Sequence, residues 1–469
     1  MLFYQPEFIF FFASILIVLR YTRLHDFHKL FLLAASYYFY AFWDWRFSIL
    51  IFASTVVDFC AALMIQQSET VRKQKLLLTL SIVFNLGLLG VFKYFNFFIE
   101  SFNALLSPIS FHLQTVDIIL PIGISFYTFQ TMSYTIDVFR KKITPTRNFI
   151  DFALFVSFFP QLVAGPIVRA ADFLPQIKRR IHITRRNLYF GLRLFLIGLF
   201  KKVFLADHLG YFVDNIYGSP LLFDTATVWL AALCFSLQIY FDFSGYSDMA
   251  IGIARIMGFY FKKNFNFPYL ATNLRDLWDR WHISLTTWVK DYLYRSLGGS
   301  RRSLGRNLFN VIVTMAIMGL WHGARWPFVI WGLMHAGGLL VNRMLTSFLQ
   351  RWQRPPLRVR RMITITGWFL TFLYWTLASA VFRAPNVSTA LDILHKLFAP
   401  SAGIFWFYPL AGLIILLTIL VHLLRLSRWK KLLVLHYNQP HTPFVLFLLL
   451  WILLTVRRES LNPFIYFQF

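Results

Sequence analysis

Long apolar runs, separated by short blocks of lysine and arginine, recur along nearly the whole of this chain. A helix needs about 20 mostly apolar residues to cross the hydrocarbon core of a bilayer, and several runs approach that length. Only 14% of the 469 residues are charged, whereas soluble domains contain about 25%. The sequence therefore predicts an all-α polytopic membrane protein with roughly 10–12 transmembrane helices and additional re-entrant or interfacial helices.

Each apolar run predicts a helix. The helices are expected at about 8–19, 29–43, 47–66, 76–98, 149–168, 188–206, 227–242, 308–324, 327–349, 362–381, 405–424 and 443–456. No linker rich in Gly, Ser or Pro separates any two of them, so we expect a single integral-membrane domain over residues 1–469. No basic residue precedes the first run, which is interpreted as a retained helix rather than a signal peptide. The two cysteines, Cys60 and Cys234, lie in apolar runs and are interpreted as inert core residues.

The net charge of +26 argues against a nucleic-acid partner because of the way in which it is distributed. Basic residues fall in short blocks between apolar runs, and such loops remain on the cytoplasmic side of a membrane. The same blocks attract anionic lipid headgroups. The stretches Glu100–Asp117 and Asp207–Asp224 carry acids, Pro and Gly, and are expected to be exterior loops.

Two histidines lie within or beside apolar sequence, and each follows a tryptophan, in Trp281-His282 and Trp321-His322. Ionisable residues at bilayer depth are costly, rare and usually functional. A histidine can accept a proton from a hydroxyl near neutral pH and return it later, which suits a general base. The alternative is a structural histidine, which is buried, neutral and hydrogen-bonded only to a carbonyl. The small residues after His322, beginning with Gly323, predict that a substrate approaches the imidazole closely.

Two polar segments interrupt the apolar pattern. Pro121–Asp137 fits either a broken or re-entrant helix that lines a cavity, or an ordinary helix with proline in its first turn. The second segment is Tyr240–Met249, and its carboxylates are predicted to line a polar passage. Simple N-capping by Asp248 is the alternative. The candidate passage residues are Asp242, Ser244, Tyr246 and Asp248.

The stretch 255–306 is the most basic part of the chain, and Asn273–His282 within it predicts one amphipathic helix. Arg275, Asp279 and His282 would share a face of this helix, beside an apolar stripe. Such a helix lies at the cytoplasmic interface, where its arginines can bind the phosphates of an anionic donor. A solvated surface helix that binds headgroups is the alternative. The candidate donor-binding or tunnel residues are Asn273, Arg275, Asp279, Arg280, Trp281 and Trp321.

No pattern in the sequence predicts a bound metal or cofactor. Asp279 and His282 resemble half of a helical-bundle metal site, but a second pair is missing. Motifs of the type His-Glu-x-x-His, Cys-x-x-Cys and Gly-x-Ser-x-Gly are absent, and so is a P-loop. The residues leave two functions open, namely direct acyl transfer by a histidine base and transport.

Five motifs, taken together and in order, resemble the membrane-bound O-acyltransferase family. More narrowly, they are similar to the membrane subunit of bacterial alginate-type polysaccharide O-acetyltransferases. The motifs are Pro121–Gln130, Phe159–Arg169, Tyr240–Ala250, Asn273–His282 and Gly319–Gly323. The aromatic C-terminal segment 462–469 also resembles that subfamily's ending, and we expect it to form an aromatic belt at the membrane interface.

The resemblance implies a ring of tilted helices around a central tunnel in the cell inner membrane. His322 matches the near-invariant histidine of the family, the implied base, and His282 matches its second signature position. The donor would be a cytosolic thioester, with acetyl-CoA as co-substrate and no cofactor. The acceptor would be a hydroxyl of an extracytoplasmic glycan, reached through a periplasmic or membrane-anchored acyltransferase partner.

The resemblance predicts a mechanism for acetyl transfer, and two alternative functions compete with it. The thioester's anionic head would lie over Arg275, Arg280 and Lys262–Lys263, His322 would deprotonate the acceptor hydroxyl, and His282 would polarise the thioester carbonyl. One alternative is transfer of D-alanine from a carrier protein toward teichoic acid. The other is a non-enzymatic acyl or polyol transporter with a histidine proton relay, which would predict internal inverted repeats, and none is visible.

Overall fold

The computed structural model describes residues 1–22, 24–109, 112–300, 303–351, 356–436, 438–456 and 463–465. Within these ranges most of the chain is helical, and Phe223 and Ile404 form an isolated parallel bridge between two extended residues. The predicted all-α class is confirmed. It follows from the apolar composition, since a helix satisfies every backbone hydrogen bond within its own segment.

The α-helices are numbered in chain order. They are α1 (Pro6–Tyr21), α2 (His25–Asp44), α3 (Ser48–Gln67), α4 (Val71–Leu89), α5 (Phe95–Leu106), α6 (Ile124–Phe139), α7 (Phe149–Ser157), α8 (Phe159–Leu162), α9 (Ala170–Ile177), α10 (Arg185–Leu199), α11 (Asp207–Gly218), α12 (Thr225–Ile256), α13 (Leu274–Arg280), α14 (Ile283–Trp288), α15 (Leu304–His322), α16 (Trp326–Gln350), α17 (Leu357–Arg383), α18 (Val387–Phe398), α19 (Pro409–Leu426) and α20 (His441–Thr455). Turns of π-helix occupy Gly90–Tyr94, Phe200–Ala206 and Val289–Tyr294.

Seven helical stretches of the described chain are long and apolar enough to cross a membrane. They are His25–Gln67, Val71–Leu106, Thr225–Ile256, Leu304–His322, Trp326–Gln350, Leu357–Arg383 and Pro409–Leu426. A multi-pass membrane protein is therefore confirmed. The predicted helices at 29–43 and 47–66 form one stretch, because a 3₁₀ turn at Trp45–Phe47 joins α2 directly to α3.

The predicted helix at 149–168 is wrong. Helix α7 ends at Ser157, and the short helix α8 begins at once with Pro160 in its first turn. Proline has no backbone N–H, so an uninterrupted helix would lose a hydrogen bond here. The side-chain amide of Gln161 donates to the carbonyl oxygen of Phe155 at 2.6 Å, which satisfies one of the acceptors that the break exposes.

The structure decides between the two alternatives for one segment and differs from two further expectations. The segment Pro121–Asp137 does not form a broken helix, because α6 runs uninterrupted from Ile124 after a left-handed Gly123. The expected exterior loop at 207–224 is largely helix α11. Cys60 is exposed rather than part of the core, whereas Cys234 is buried as expected.

Backbone contacts group the chain into two compact units. The first comprises Met1–Phe195 and Met249–Lys262, and the second comprises Leu196–Asp248 and Lys263–Phe469. Both candidate catalytic histidines belong to the second unit. The single domain over residues 1–469 stays a prediction.

Helices α15 and α16 of the second unit approach each other at two glycines. A Cβ atom on Gly319 would lie 2.2 Å from the carbonyl oxygen of Phe328, and one on Gly332 would lie 2.2 Å from that of Met315. Both distances are far below van der Waals contact, so the helices can pack this closely only because neither position has a side chain. His322 is the last residue of α15, and this contact therefore holds the helix that carries it.

Replacing Gly319 with alanine should destabilise the protein by about 1–3 kcal/mol and reduce its activity, because the new methyl group pushes α15 away from α16. Gly337 offers a matched control in α16, since a Cβ there would meet nothing within 4 Å. Thermal unfolding in detergent measures both variants. Equal unfolding temperatures for Gly319→Ala and Gly337→Ala would contradict the assigned role of the close contact.

Candidate active site

His282 lies between two short helices rather than on one. Helix α13 is capped by Asn273, whose side chain accepts a hydrogen bond from the Asp276 N–H at 2.9 Å, and it ends at Arg280. His282 itself adopts a left-handed backbone conformation with φ of 40°, and α14 begins at Ile283. The predicted single helix through His282 is therefore wrong. A left-handed non-glycine residue costs about 1–3 kcal/mol and often marks a functional site.

The arginine face of α13 does not contain His282, contrary to prediction. Arg275 and Asp279 are exposed, whereas His282 is buried. Arg280 forms an ion pair with Asp276 at 2.7 Å. In the first unit Lys262, another predicted donor contact, pairs with an aspartate in the same way.

Asn264 fixes the position of His282. Its Oδ1 atom accepts hydrogen bonds from the backbone N–H of Ser284 at 3.1 Å and from the Ser284 hydroxyl at 2.9 Å. Because a backbone N–H can only donate, the bond from Ser284 establishes the orientation of the amide, and its Nδ2 group then donates to the hydroxyl of Ser247 at 3.0 Å. The imidazole Nδ1 atom of His282 lies 3.1 Å from the same Oδ1. Since Oδ1 can only accept, Nδ1 carries the proton and Nε2 is the basic nitrogen.

The imidazole of His282 is 1% exposed and lies outside the candidate membrane-spanning helices. Burial lowers its pKa to about 3, because the charged form loses its hydration. His282 is therefore neutral at physiological pH. A neutral imidazole with Nδ1 protonated can accept a hydrogen bond or a proton at Nε2, but it cannot donate one to a carbonyl there.

This lowered pKa predicts that acid weakens the fold. The unfolded chain binds a proton at His282 below a pKa of about 6.5 and the folded chain does not, so stability falls as the pH falls below that value. The contribution of this residue is about 1.4 kcal/mol for each pH unit. Thermal unfolding between neutral and mildly acidic pH should therefore change more for the unsubstituted protein than for His282→Gln. Identical pH dependence would contradict the assigned pKa.

His322 is 3% exposed and ends α15. Its ring lies 5.0 Å from the ring of Trp321, 5.0 Å from that of Trp331 and 5.3 Å from that of Phe382. The expected open approach beside Gly323 is wrong. A Cβ on this glycine would lie 2.1 Å from the ring of Phe328, so that aromatic ring occupies the space.

Trp321 brings the two predicted histidines into one cluster. Its ring lies 6.2 Å from His282 and 5.0 Å from His322. Trp281 also lies in the interior of this unit, with its ring 4.5 Å from that of Trp375. The structure therefore places His282, Trp321, His322 and Trp281 in one buried aromatic region, whereas Arg275 and Asp279 lie on an exposed surface.

Sequence reasoning missed His335, which is fully buried in α16. Its ring lies 4.6 Å from that of Trp331, which also contacts His322, and 5.1 Å from that of Trp278. Neither ring nitrogen has a hydrogen-bond partner in the part of the chain that the structure describes. The criterion that selected His282 and His322, a histidine within apolar sequence, applies equally to this residue.

The predicted passage residues lie in the interior of α12. The capping role of Asp248 is wrong, because the helix continues through this position to Ile256. Asp248 pairs with Lys201 at 2.6 Å, and Asp242 pairs with Lys202 at 2.7 Å. Ser244 and Tyr246 are buried. The passage itself stays a prediction.

The C-terminal segment reaches the neighbourhood of His282. The backbone N–H of Ile465 donates to Oδ2 of Asp242 at 2.9 Å, and the ring of Phe464 lies 5.6 Å from that of Phe243. The ring of Phe243 in turn lies 4.5 Å from that of His282. Phe464 and Ile465 are buried, so the expected interfacial belt is wrong for these two residues. Residues 462 and 466–469 lie outside the described chain.

Throughout the ranges that the structure describes, no group of three or more His, Cys, Asp or Glu side chains is arranged to hold a metal ion. The expectation that the protein uses no metal and no cofactor stays a prediction.

Comparison with known proteins identifies the family. The model of the MBOAT, membrane-bound O-acyltransferase family matches residues 61–383, which include both histidines and Asn264. The chain belongs to this family. It is therefore a membrane O-acyltransferase, as the resemblance implied.

Named relatives fall into three groups. The chain is 42% identical to "Probable alginate O-acetylase AlgI" of Azotobacter vinelandii, over 85% of this chain and 78% of the relative. It is 38% identical to "Peptidoglycan O-acetyltransferase" of Helicobacter pylori, over 84% of this chain and 79% of the relative. It is 29% identical to "Teichoic acid D-alanyltransferase" of Bacillus subtilis, over 54% of this chain and 65% of the relative.

Proposed function

We propose that this enzyme moves an acetyl group from a cytosolic thioester, acetyl-CoA, across the cell inner membrane toward hydroxyls of an extracytoplasmic polysaccharide. The observation that carries the proposal is the buried cluster of His282, Trp321 and His322, in which Asn264 orients a neutral imidazole. The names of the AlgI and peptidoglycan relatives support acetyl as the group and a glycan as the acceptor.

Beyond the thioester and the acceptor hydroxyl, the chemistry requires only one base. His322 removes the proton from the acceptor hydroxyl as its oxygen attacks the thioester carbonyl. The C–S bond then breaks, and the departing thiolate takes up the proton from His322, so that acetyl ester and thiol are the products. Both histidines lie in a buried region, where water competes less for the thioester.

His282 acts differently from the sequence-based expectation. Polarising a carbonyl requires a hydrogen-bond donor, and the contact to Asn264 makes Nε2 of His282 an acceptor. We therefore assign to His282 the positioning of a substrate O–H or N–H group. Arg275 and Lys263 are exposed and take part in no ion pair among the described residues, so they are the proposed contacts for the donor's phosphates.

A partner carries the acetyl group onward in this proposal. It is a periplasmic or membrane-anchored acyltransferase that takes the acetyl group at the outer face and delivers it to the glycan. The relatives' names specify polysaccharide acceptors for those proteins, and this chain's specificity for a glycan would then reside largely in the partner.

Reconstitution in proteoliposomes tests the proposal. Acetyl-CoA with a labelled acetyl group is supplied on the side that corresponds to the cytosol, and the partner with its glycan is supplied on the other. Labelled acetate on the glycan or on the partner, together with release of free CoA, is the expected result. Flux of label without thioester cleavage would establish a transporter and overturn the proposal.

D-Alanyl transfer is the second candidate, because the chain also resembles "Teichoic acid D-alanyltransferase". The same vesicles can be supplied with D-alanyl carrier protein in place of acetyl-CoA. Transfer of D-alanine with no transfer of acetate would replace the first proposal by the second.

A further inference from the structure

A basic pocket lies in the first compact unit, between the turn that follows α1 and the loop that follows α9. Its volume is about 240 Å³. A void needs only about 10–15 Å³ to hold one water molecule, so this pocket has room for a larger polar group. The polar residues of its lining are Arg20, Thr22, His25, His28, Arg180 and His182.

No carboxylate balances the positive charge of this pocket. The described residues that line it include no aspartate and no glutamate. Asp26, which adjoins the lining in sequence, points elsewhere and lies 3.3 Å from the ammonium of Lys29. The same ammonium lies 2.9 Å from Asp151. The acids close to the pocket in the chain are therefore already paired with a lysine that does not line it.

Arg20 and Arg180 supply the permanent charge of the pocket. Both are exposed, and neither forms an ion pair or a side-chain hydrogen bond with the described residues. A guanidinium group stays charged at every physiological pH, and its planar set of donors matches the oxygens of a phosphate. Two such groups, which line one pocket without an acid, favour an anion with several oxygens as the ligand.

Side-chain hydrogen bonds hold one wall of the pocket in place. Nε2 of His28 lies 2.8 Å from the hydroxyl oxygen of Thr22 and 3.1 Å from its carbonyl oxygen. Because a carbonyl oxygen can only accept, Nε2 carries a proton and donates it. The Thr22 hydroxyl donates in turn to the carbonyl of Val18 at 2.7 Å. A wall that is ordered in advance lowers the entropy lost when a ligand binds.

The surroundings of the pocket are those of a membrane interface. Helix α1 ends at Tyr21, and His25 begins a stretch that can cross a membrane. Tyr21 and Leu24, which flank the turn, are 82% and 72% exposed. Tyrosine is enriched at the level of the lipid headgroups, and basic loops remain on the cytoplasmic side, where the leaflet carries anionic lipids. Exposed apolar side chains therefore adjoin a pocket that is positively charged.

We propose that this pocket binds a phosphate group, with Arg20 and Arg180 as its charged contacts and His182 as a further hydrogen-bond donor. The apolar residues beside the pocket favour the headgroup of an anionic phospholipid as the source of the phosphate, and free phosphate is the other source of the same chemistry. The bound group links the turn after α1 to the loop after α9. The assignment does not depend on the identity of the acyl group or the acceptor.

Thermal unfolding of the purified full-length protein in detergent tests the site. Three probes are titrated at fixed pH and constant ionic strength, namely dioctanoyl phosphatidylglycerol, dioctanoyl phosphatidylcholine and inorganic phosphate. We expect a saturable rise in Tm of about 3 °C or more with phosphatidylglycerol, because a ligand that binds only the folded state stabilises it. Phosphatidylcholine, which has the same chains but no net charge, should give no comparable rise. A saturable rise with inorganic phosphate alone would support the pocket and assign free phosphate to it.

Two double variants separate the pocket from a general attraction of anions to basic loops. Arg20→Gln/Arg180→Gln should raise the concentration of phosphatidylglycerol at half-saturation by about tenfold or more, because charge-assisted hydrogen bonds are lost. Lys178→Gln/Arg179→Gln is the matched control. It removes the same charge from exposed residues that precede Arg180 and do not line the pocket. Half-saturation should stay within about twofold of the original value in this control.

Three results would overturn the proposal. The first is a Tm that shows no saturable response to phosphatidylglycerol or to inorganic phosphate in the unsubstituted protein. The second is an equal response to phosphatidylcholine and phosphatidylglycerol, which would show that the acyl chains are recognised. The third is an equal loss of response in the two double variants. Should Arg20→Gln/Arg180→Gln not fold, Arg180→Gln is compared with Lys178→Gln, and the same criterion applies.

Discussion

Replacing His322 with glutamine should reduce acyl transfer by about 10²–10⁴-fold, the range expected for loss of a general base. Glutamine approximates the size of the imidazole and can form hydrogen bonds, but it cannot take up the proton of an attacking hydroxyl. The ring contacts of His322 with Trp321 and Trp331 are packing contacts that a side chain of similar volume largely preserves. We therefore expect a large loss of kcat with little change in Tm.

Two comparisons make the result specific. His112→Gln changes an exposed histidine and should leave the rate unchanged. His282→Gln should raise KM as well as lower kcat, since His282 is assigned to positioning. If His282→Gln instead removes kcat as completely as His322→Gln and leaves KM alone, His282 is the base. Full activity of His322→Gln at a normal protein level would contradict the mechanism.

The fold class followed from the sequence because it depends on a local property. A long apolar run must satisfy its own backbone hydrogen bonds in lipid, and a helix does so without any neighbour. Helices such as α16 and α17 therefore lie close to their predicted positions. The interruption after Ser157 was not predicted, because it depends on Pro160 and on a side-chain amide from Gln161 that replaces a helical bond.

The two histidines of the site could be recognised from the sequence, but their surroundings could not. His282 and His322 stand out as ionisable residues in apolar sequence, and that signal is local. Asn264, which sets the tautomer of His282, is 18 residues away and carries no motif of its own. His335 gave the same local signal as the other two, and it was missed because no family motif drew attention to it.

The wrong assignments share a physical cause. The pattern of Asn273–His282 predicts a continuous helix, yet the backbone N–H of Ile283 donates to the carbonyl of Asn264 at 2.8 Å, and the helix ends before His282. Phe464 was assigned to the membrane interface for its aromatic character, and it is instead buried against Tyr246. Contacts between residues distant in sequence override the local pattern in both places.

Lys202 anchors a second buried cluster, and its charge holds several segments of the second unit together. Its ammonium lies 2.7 Å from a carboxylate oxygen of Asp207 and 2.7 Å from one of Asp242. The side chain of Lys202 is 1% exposed, and the two carboxylates are nearly as inaccessible. Asp242 also accepts the hydrogen bond from Ile465, so the cluster connects a π-helical turn, α11, α12 and the C-terminal segment.

Lys202→Met should destabilise the protein by about 3–5 kcal/mol, because it leaves two carboxylates buried side by side without a cation. Activity should fall as well, since Asp242 precedes Phe243, whose ring contacts His282. Thermal unfolding in detergent and the acyl-transfer assay measure the two effects. Removing the buried charge altogether, in Lys202→Met/Asp207→Asn/Asp242→Asn, should recover much of the lost stability, because no unpaired charge remains.

Lys262 provides the matched comparison for Lys202, because it also pairs with an aspartate at 2.7 Å but its side chain is 75% exposed. Water and salt screen an ion pair of this kind, so Lys262→Met should cost only about 0–1 kcal/mol. Equal losses of stability in Lys202→Met and Lys262→Met would show that burial does not determine how much an ion pair contributes to stability. A triple variant as unstable as Lys202→Met would show that the packing of the lysine stem, rather than its charge, stabilises this region.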